Sequence, residues 1–395
     1  MRADDRRMET AMEVYFDNAA TTKMIPEVRE IMLETIDKEY GNPSSMHLKG
    51  VEAEKYIRYA RNAISRQLKC EPKEVIFTSG GTESNNLALI GAALANKRAG
   101  NHIITTGIEH ASVYNPVLFL QDMGFRVSFL RVDNKGKVDL EHLRQEVCDD
   151  TILVSVMAVN NEIGVIEPIE EIGAVIKAYN REKQKNVLFH VDAVQAFGKQ
   201  LLYPKRIGVD LLSISGHKIH GPKGSGALFV DSRVKLKPVL YGGGQEKGLR
   251  SGTENTAAIA GIGKAAEIMY GCLEENRGKM NAVKQALLTG ATSIDGVTDN
   301  SGEAPHIASL SFRGVRSEVL LHALEEKGIY VSAGSACSSN HPAVSGVLKA
   351  IALDKDLLES TLRFSFSEYN TVEEAEYTVE VLKELLPVLR RFTRK

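Results

Sequence analysis

The sequence predicts an α/β fold, with a large domain built on one mostly parallel sheet of about seven strands between helices and a smaller α+β domain after it. Three observations predict it. Short apolar runs alternate with amphipathic stretches from residue 75 onward, the rhythm of β-α-β units. After Ser251-Gly252-Thr253 the texture changes to a long helical run and then to shorter units. A chain of 395 residues, at roughly 150 per domain, accommodates two to three folded units.

Residues 1–11 read as a polar extension, because the β-rich run Val14-Tyr15-Phe16 begins only after Met12, a candidate natural start. Residues 1–14 are therefore expected to be an extension and small-domain segment, 15–254 the large domain and 255–395 the small one. The expected strands of the large domain are Val75-Ile76-Phe77, Ile103-Ile104, Val127 to Val132, Thr151 to Val159, Val187 to Val191, Leu211 to Ile214 and Ala227 to Val230. Helices at Leu87 to Ala95, Val113 to Leu120 and Ile169 to Tyr179 fall between them. Asn255 to Glu275 reads as one long helical run, followed by units at Ile307 to Phe312, Glu318 to Glu326, Ile329 to Ser332 and Leu362 to Phe366. The last helix spaces Val372, Ala375, Val379, Leu382, Leu386 and Leu389 by three or four residues, an apolar stripe expected to dock on the small domain.

Composition excludes several classes. Lys+Arg number 49 against 51 Asp+Glu, with the signs interspersed, which disfavours direct nucleic-acid binding. Apolar stretches such as Ile152 to Val159 fall far short of the roughly 18 to 20 residues that span a bilayer, so no membrane association is expected. The start MRADDRRMETAMEVYF lacks the apolar core of a secretory signal, and a cytoplasmic enzyme is the default expectation. Cys70, Cys148, Cys272 and Cys337 are far apart, with no C-x-x-C pair, so they are expected to be reduced and no metal site is expected.

Three segments carry chemistry. Ile76 to Asn86, reading IFTSGGTESNN, is a strand, a glycine turn and a helix opening, a ready phosphate cradle; an ordinary β-α turn capped by Thr or Ser is the bland alternative. It lacks a P-loop lysine, and Gly261-Ile262-Gly263-Lys264-Ala265 fails as a P-loop because Ala258 and Ala265 occupy its Gly and Ser/Thr positions. In His190-Val191-Asp192-Ala193-Val194-Gln195, Asp192 ends a strand where ligands bind in parallel sheets and is suited to a cationic ring nitrogen, or else is a strand-terminal cap. In Asp210 to Gly224 an apolar strand ends in Ser215-Gly216-His217-Lys218, where a lysine among other cations would be desolvated and depressed in pKa, as a Schiff-base amine requires.

These motifs, in this order, resemble class V aminotransferase-fold pyridoxal-phosphate enzymes, and within them the NifS/IscS-like cysteine desulfurases. The resemblance extends through Tyr15-Phe16-Asp17-Asn18-Ala19-Ala20-Thr21-Thr22, Asn160-Asn161-Glu162-Ile163-Gly164, Arg250-Ser251-Gly252-Thr253, Gly334-Ser335-Ala336-Cys337 and Leu362-Arg363-Phe364-Ser365. It implies a fold type I transferase and a homodimer that binds pyridoxal 5'-phosphate. On this resemblance Lys218 is the cofactor lysine and α-proton base, Asp192 pairs with the ring nitrogen, Gln195 bonds the ring phenolate oxygen, and His110 stacks on the ring and shuttles protons. Gly81, Thr82, Ser215 and His217 hold the phosphate, with Thr253 coming from the other subunit. Asn161 and Arg363 face L-cysteine, the guanidinium matching its carboxylate.

The cysteine choice also has a physical argument. Cys148 adjoins Asp149 and Asp150, Cys272 precedes Glu274 and Glu275, and Cys70 precedes Glu71, all settings expected to raise a thiol pKa; Cys337 has no acidic neighbour and matches the family's persulfide carrier. The implied reaction gives L-alanine and a persulfide for an acceptor protein, an iron-sulfur scaffold or a tRNA-thiolation enzyme. A selenocysteine lyase or aminotransferase on the same fold, or a non-catalytic sulfur-carrier module, are the alternatives.

Overall fold

A computed structural model describes residues 12–333 and 345–392. The chain opens with β1 (Val14–Tyr15) and runs through α1 (Pro26–Asp37), α2 (Leu48–Leu68), β2 (Val75–Thr78), α3 (Gly81–Asn96), β3 (His102–Thr106), α4 (Ala111–Asp122), β4 (Arg126–Leu130) and α5 (Leu140–Glu146). It continues with β5 (Thr151–Met157), α6 (Ile169–Lys183), β6 (Leu188–Asp192), α7 (Pro204–Ile207), β7 (Leu211–Ser215), β8 (Gly226–Val230) and α8 (Thr256–Gly271). After these come α9 (Leu273–Thr292), β9 (Val297–Asp299), β10 (Ile307–Phe312), α10 (Ser317–Glu325), β11 (Ile329–Tyr330), β12 (Ser332–Ala333), α11 (Gly346–Ala350), α12 (Lys355–Leu358), β13 (Thr361–Ser365) and α13 (Val372–Phe392).

The larger of two compact units holds residues 21–161 and 165–273. Its seven-stranded sheet has the order β2-β8-β7-β6-β5-β3-β4, and all neighbours are parallel except β8, which runs antiparallel to both β2 and β7. All seven sequence-expected strands are present. Apart from β4 they are buried residue by residue, as expected when helices cover both faces. Because only β8 is reversed, the C-terminal ends of β2, β3, β5, β6 and β7 open at one edge of the sheet, where open α/β sheets bind ligands.

The unit boundary lies at Leu273/Glu274 rather than at residue 254. Helix α8 packs on α1 and α2 of the larger unit. Gly263 allows that approach: a Cβ there would lie 2.5 Å from Ala60 Cα. The expected single run from Asn255 to Glu275 is two helices, broken at Cys272 (φ −121°, ψ 23°) after Gly271.

The smaller unit comprises the chain through Ala20, Glu162–Gly164, and the chain from Glu274 on. Its sheet is antiparallel, in the order β12-β13-β10-β9, and β1 pairs in parallel with β11. The last-helix stripe lies in its core, where Ala375, Val379, Leu382 and Leu386 of α13 join Met280, Val283 and Leu287 of α9. The insertion of 162–164 was not anticipated; Ile163 and Gly164 carbonyls accept Gly302 and Ala304 N–H, which makes this tripeptide part of the small unit.

Candidate functional site

The phosphate-cradle segment follows β2. Gly80 (φ 151°, ψ −176°) sits in backbone space that glycine alone adopts readily, and its carbonyl accepts the Ser84 N–H that starts α3. A Cβ on Gly81 would lie 2.7 Å from Val194 Cγ2 and 3.6 Å from Ser215 Cβ, so the turn lies against the ends of β6 and β7. Thr82 is exposed at the helix opening, and Ser215 is buried at the end of β7. Thr82 and His110 both line a cleft of about 420 Å³ between α3 and α4.

Asp192 ends β6 and is 4 % exposed. Its Oδ1 accepts the Val194 N–H at 2.9 Å and its Oδ2 accepts the Asn85 side-chain amide at 2.8 Å. Burial pushes its pKa up, while these bonds and the nearby His110 and Lys218 pull it down without reversing the net rise. Asn85 Nδ2 also donates to Ser112 Oγ at 2.8 Å, and that hydroxyl is 2.8 Å from His110 Nδ1. Asp192, Asn85, Ser112 and His110 thus form one chain of polar contacts. His110 N-caps α4, its Nδ1 accepting the Ser112 N–H.

Beside that chain lies Glu109, 7 % exposed, whose Oε1 accepts from Met157 N–H and Thr106 Oγ1, both at 2.9 Å. Burial raises its pKa to about 8, and the Asp192 charge pushes the same way. Beneath Asp192, the His190 ring is 2.8 Å from Ser155 Oγ and 3.0 Å from Ser213 Oγ, and burial lowers its pKa to about 3. That neutral, doubly bonded imidazole is a core group.

Lys218 closes the 3₁₀ turn Gly216–Lys218 directly after β7 and is half-buried. Its carbonyl accepts Lys199 Nζ at 2.8 Å. His217 is held at Nδ1 by Thr21 Oγ1 at 3.2 Å, and its carbonyl accepts both the N–H and the hydroxyl of Thr22. Burial, reinforced by Lys218, Lys223 and Lys199, lowers the His217 pKa to about 4, so it is neutral at pH 7 and can donate to an anion through one N–H only. Gln195 is buried just past β6, Asn161 is half-buried after β5, and Thr253 is exposed before α8.

In the smaller unit, Arg363 is 7 % exposed on β13 and donates through Nη2 to Asp17 Oδ1 at 2.8 Å. Its fork therefore already has one carboxylate partner, which sequence reasoning had not supplied. Ser345 Oγ donates to Glu162 and accepts the Leu348 N–H, capping α11. Cys337 lies outside the described residues.

The described cysteines require one correction. Cys70 behaves as expected: burial, aided by Glu74, raises its pKa to about 12. Cys148 does not. Burial raises its pKa, but hydrogen bonds from Thr151, the Asp150 backbone and Arg126, whose Nη2 is 3.0 Å from Sγ, outweigh it and the net shift is downward. Sequence neighbours Asp149 and Asp150 were a poor guide because Thr151, the Asp150 backbone and Arg126, brought in by β4, all bond the sulfur. Asn85, Ser112 and Glu109 were also missed as site residues. The Asn85-Asn86 and Glu109-His110 pairs were visible, but nothing in the sequence indicated that Asn85 reaches Asp192.

The family model described as aminotransferase class-V matches residues 14–378. The chain is 42% identical over 387 residues to a protein named cysteine desulfurase IscS from Clostridium botulinum, with 96% of each chain covered. A protein of the same name from Methanosarcina thermophila is 41% identical over 383 residues, covering 96% of this chain and 93% of the relative. Among solved structures, a NifS-like protein is similar at a TM-score of 0.89 and 38% identity, covering 96% of this chain and 100% of the other.

Proposed function

The chain belongs to the class V aminotransferase family and is a pyridoxal-phosphate-dependent cysteine desulfurase, and from that premise we propose how its residues divide the work. The residues suit the cofactor: a buried carboxylate ends β6, a side-chain-free turn lies beside Ser215, and a lysine follows β7. Bound pyridoxal phosphate supplies the sink for the electron pair left at the substrate α-carbon. Asp192 holds the ring nitrogen, Gln195 the phenolate oxygen, and Gly81, Thr82, Ser215 and neutral His217 the phosphate. Lys218 Nζ takes the α-proton, and His110, held by Ser112, exchanges protons near the leaving sulfur. Arg363 and Asn161 orient the carboxylate of L-cysteine.

The Cys337 thiolate attacks the substrate sulfur. The substrate's C–S bond breaks, an S–S bond forms on Cys337, and protonation of the carbon releases L-alanine. Cys337 rests on the Gly334-Ser335-Ala336-Cys337 motif alone. A homodimer in which Thr253 completes the partner's phosphate site is part of the same proposal, supported by the exposed apolar side chains Tyr40, Met46, Leu48, Leu240 and Tyr241 in the larger unit. So is delivery of the persulfide to an acceptor protein, an iron-sulfur scaffold or a tRNA-thiolation enzyme. No helix among the described residues is long and apolar enough to cross a membrane. A cytoplasmic setting is proposed on the reduced state of Cys70, Cys148 and Cys272.

The observation that carries the assignment is the polar chain that joins the buried Asp192 at the end of β6 to His110 through Asn85 and Ser112. Incubating the holoenzyme with L-cysteine and a thiol reductant tests the whole reading. Alanine and sulfide in equal amounts support it; pyruvate and ammonia in place of alanine, or activity with selenocysteine only, overturns it.

A further inference from the structure

Building on the phosphate-cradle reading, we propose that Arg250 serves cofactor retention by neutralising Glu83, an anion built into the first turn of the phosphate-receiving helix. Glu83 is the third residue of α3. Its Oε2 accepts the Ser79 N–H at 2.8 Å and its Oε1 accepts Arg250 Nε at 2.9 Å. Both side chains are largely withdrawn from water, at 16% and 24% exposure, so solvent screens the pair only partly.

An acidic residue in a helix's first turn is ordinarily favourable, because it meets the positive end of the helix dipole. Here the same end is assigned a phosphate dianion, and two anions at one pole repel. Protonation does not relieve this. Burial raises the Glu83 pKa, but the bonds from Arg250 and Ser79 outweigh it and leave the net value below the ordinary carboxylate range. The relief has to come from a cation, and Arg250 delivers it.

The segment carrying Arg250 is held in place independently of that pair. Arg250 bridges Leu240, and Gln245 Oε1 accepts the Gly252 N–H at 2.9 Å. Glu246, 8 % exposed, takes two nitrogens of the Arg61 guanidinium and the Phe77 N–H of β2, the strand that leads into the cradle. Arg250 is thus a charge-balancing and positioning residue that acts through Glu83, and the loop anchored by Glu246 presents it.

Reconstitution of the full-length apoenzyme with pyridoxal 5'-phosphate and, separately, with phosphate-free pyridoxal isolates the phosphate's share of affinity. Arg250→Met should cut the preference for the phosphorylated aldehyde about tenfold while leaving pyridoxal affinity unchanged. Adding Glu83→Gln should restore the preference to within about threefold of wild type, because the repelling charge is gone. Equal losses for both aldehydes, or no restoration in the double variant, would overturn the proposal in favour of a plain structural tether. Glu83→Gln alone decides the matter if Arg250→Met does not fold. It should hold the phosphorylated aldehyde at least as well as wild type, and a weakened preference refutes charge balancing. A wild-type protein with no preference between the two aldehydes would instead remove the cradle reading itself.

Discussion

The side-chain amide of Asn85 donates to Asp192 Oδ2 at 2.8 Å and, through the same nitrogen, to Ser112 Oγ at 2.8 Å. The fifth residue of the phosphate-cradle helix thereby orients the carboxylate at the end of β6 and the hydroxyl that holds His110. Three strand-end segments are locked together by one uncharged group, which adds no charge to compete with that of Asp192.

Replacing Asn85 by Ala removes the donor shared by two buried acceptor atoms, Asp192 Oδ2 and Ser112 Oγ, while Asp192 Oδ1 keeps the Val194 N–H. We expect a stability loss of about 1.5–3 kcal/mol in urea denaturation of the apoprotein, together with weaker cofactor binding. Asn85→Asp should be worse, because it adds a second carboxyl group against Asp192. Wild-type stability in Asn85→Ala would show that the network carries no energy.

Lys218→Ala should abolish borohydride-fixed labelling by the cofactor. Peptide mapping of the wild type should find the label on Lys218, and a label on Lys199 or Lys223 would reassign the base.

Asp192→Asn should still bind cofactor. Exchange of the substrate α-proton, followed by NMR in heavy water, should slow by about 100-fold or more because the ring nitrogen loses its anionic partner. Near-normal exchange would refute the role given to Asp192.

Cys337→Ser should keep α-proton exchange and lose sulfide release, because an alcohol is scarcely ionised where a thiol of pKa ~8.5 partly is. Cys148→Ser is the informative control, since the Cys148 thiol pKa is pulled down. It should keep turnover; if it abolishes turnover while Cys337→Ser does not, the persulfide belongs on Cys148.

Glu109 gives a pH signature. Its folded pKa, about 8, is above the unfolded value, so the native state keeps a proton that the unfolded state loses. Its contribution to stability is fully present below about pH 4.5 and is lost as pH rises to about 8, at up to about 1.4 kcal/mol per pH unit. Glu109→Gln keeps the Oε1 acceptor for Met157 N–H and removes that slope. Its stability relative to wild type should therefore rise between pH 5 and 8 in denaturant titrations, and a constant difference across that range would show Glu109 to be ionised.

The strand and helix order of the larger unit was legible in the sequence because burial on both faces of a parallel sheet writes short apolar runs, and because the glycine turn at 80–81 and the Ser215 to Lys218 segment each sit directly after such a run. Family resemblance then attached chemistry to strand ends whose positions were already determined locally. What the sequence could not specify was which side chains meet across strands. The motif Tyr15 to Thr22 illustrates this: Asp17 bonds Arg363, 346 residues away, while Thr21 and Thr22 bond His217, so one short run of residues serves two units. Arg126 on Cys148, Asn85 on Asp192 and Arg250 on Glu83 are of the same kind. Periodicity and local propensity act over a few residues and so determine the elements. Hydrogen bonds and charge pairs depend on distances of about 3 Å between groups far apart in the chain, and only tertiary packing decides those.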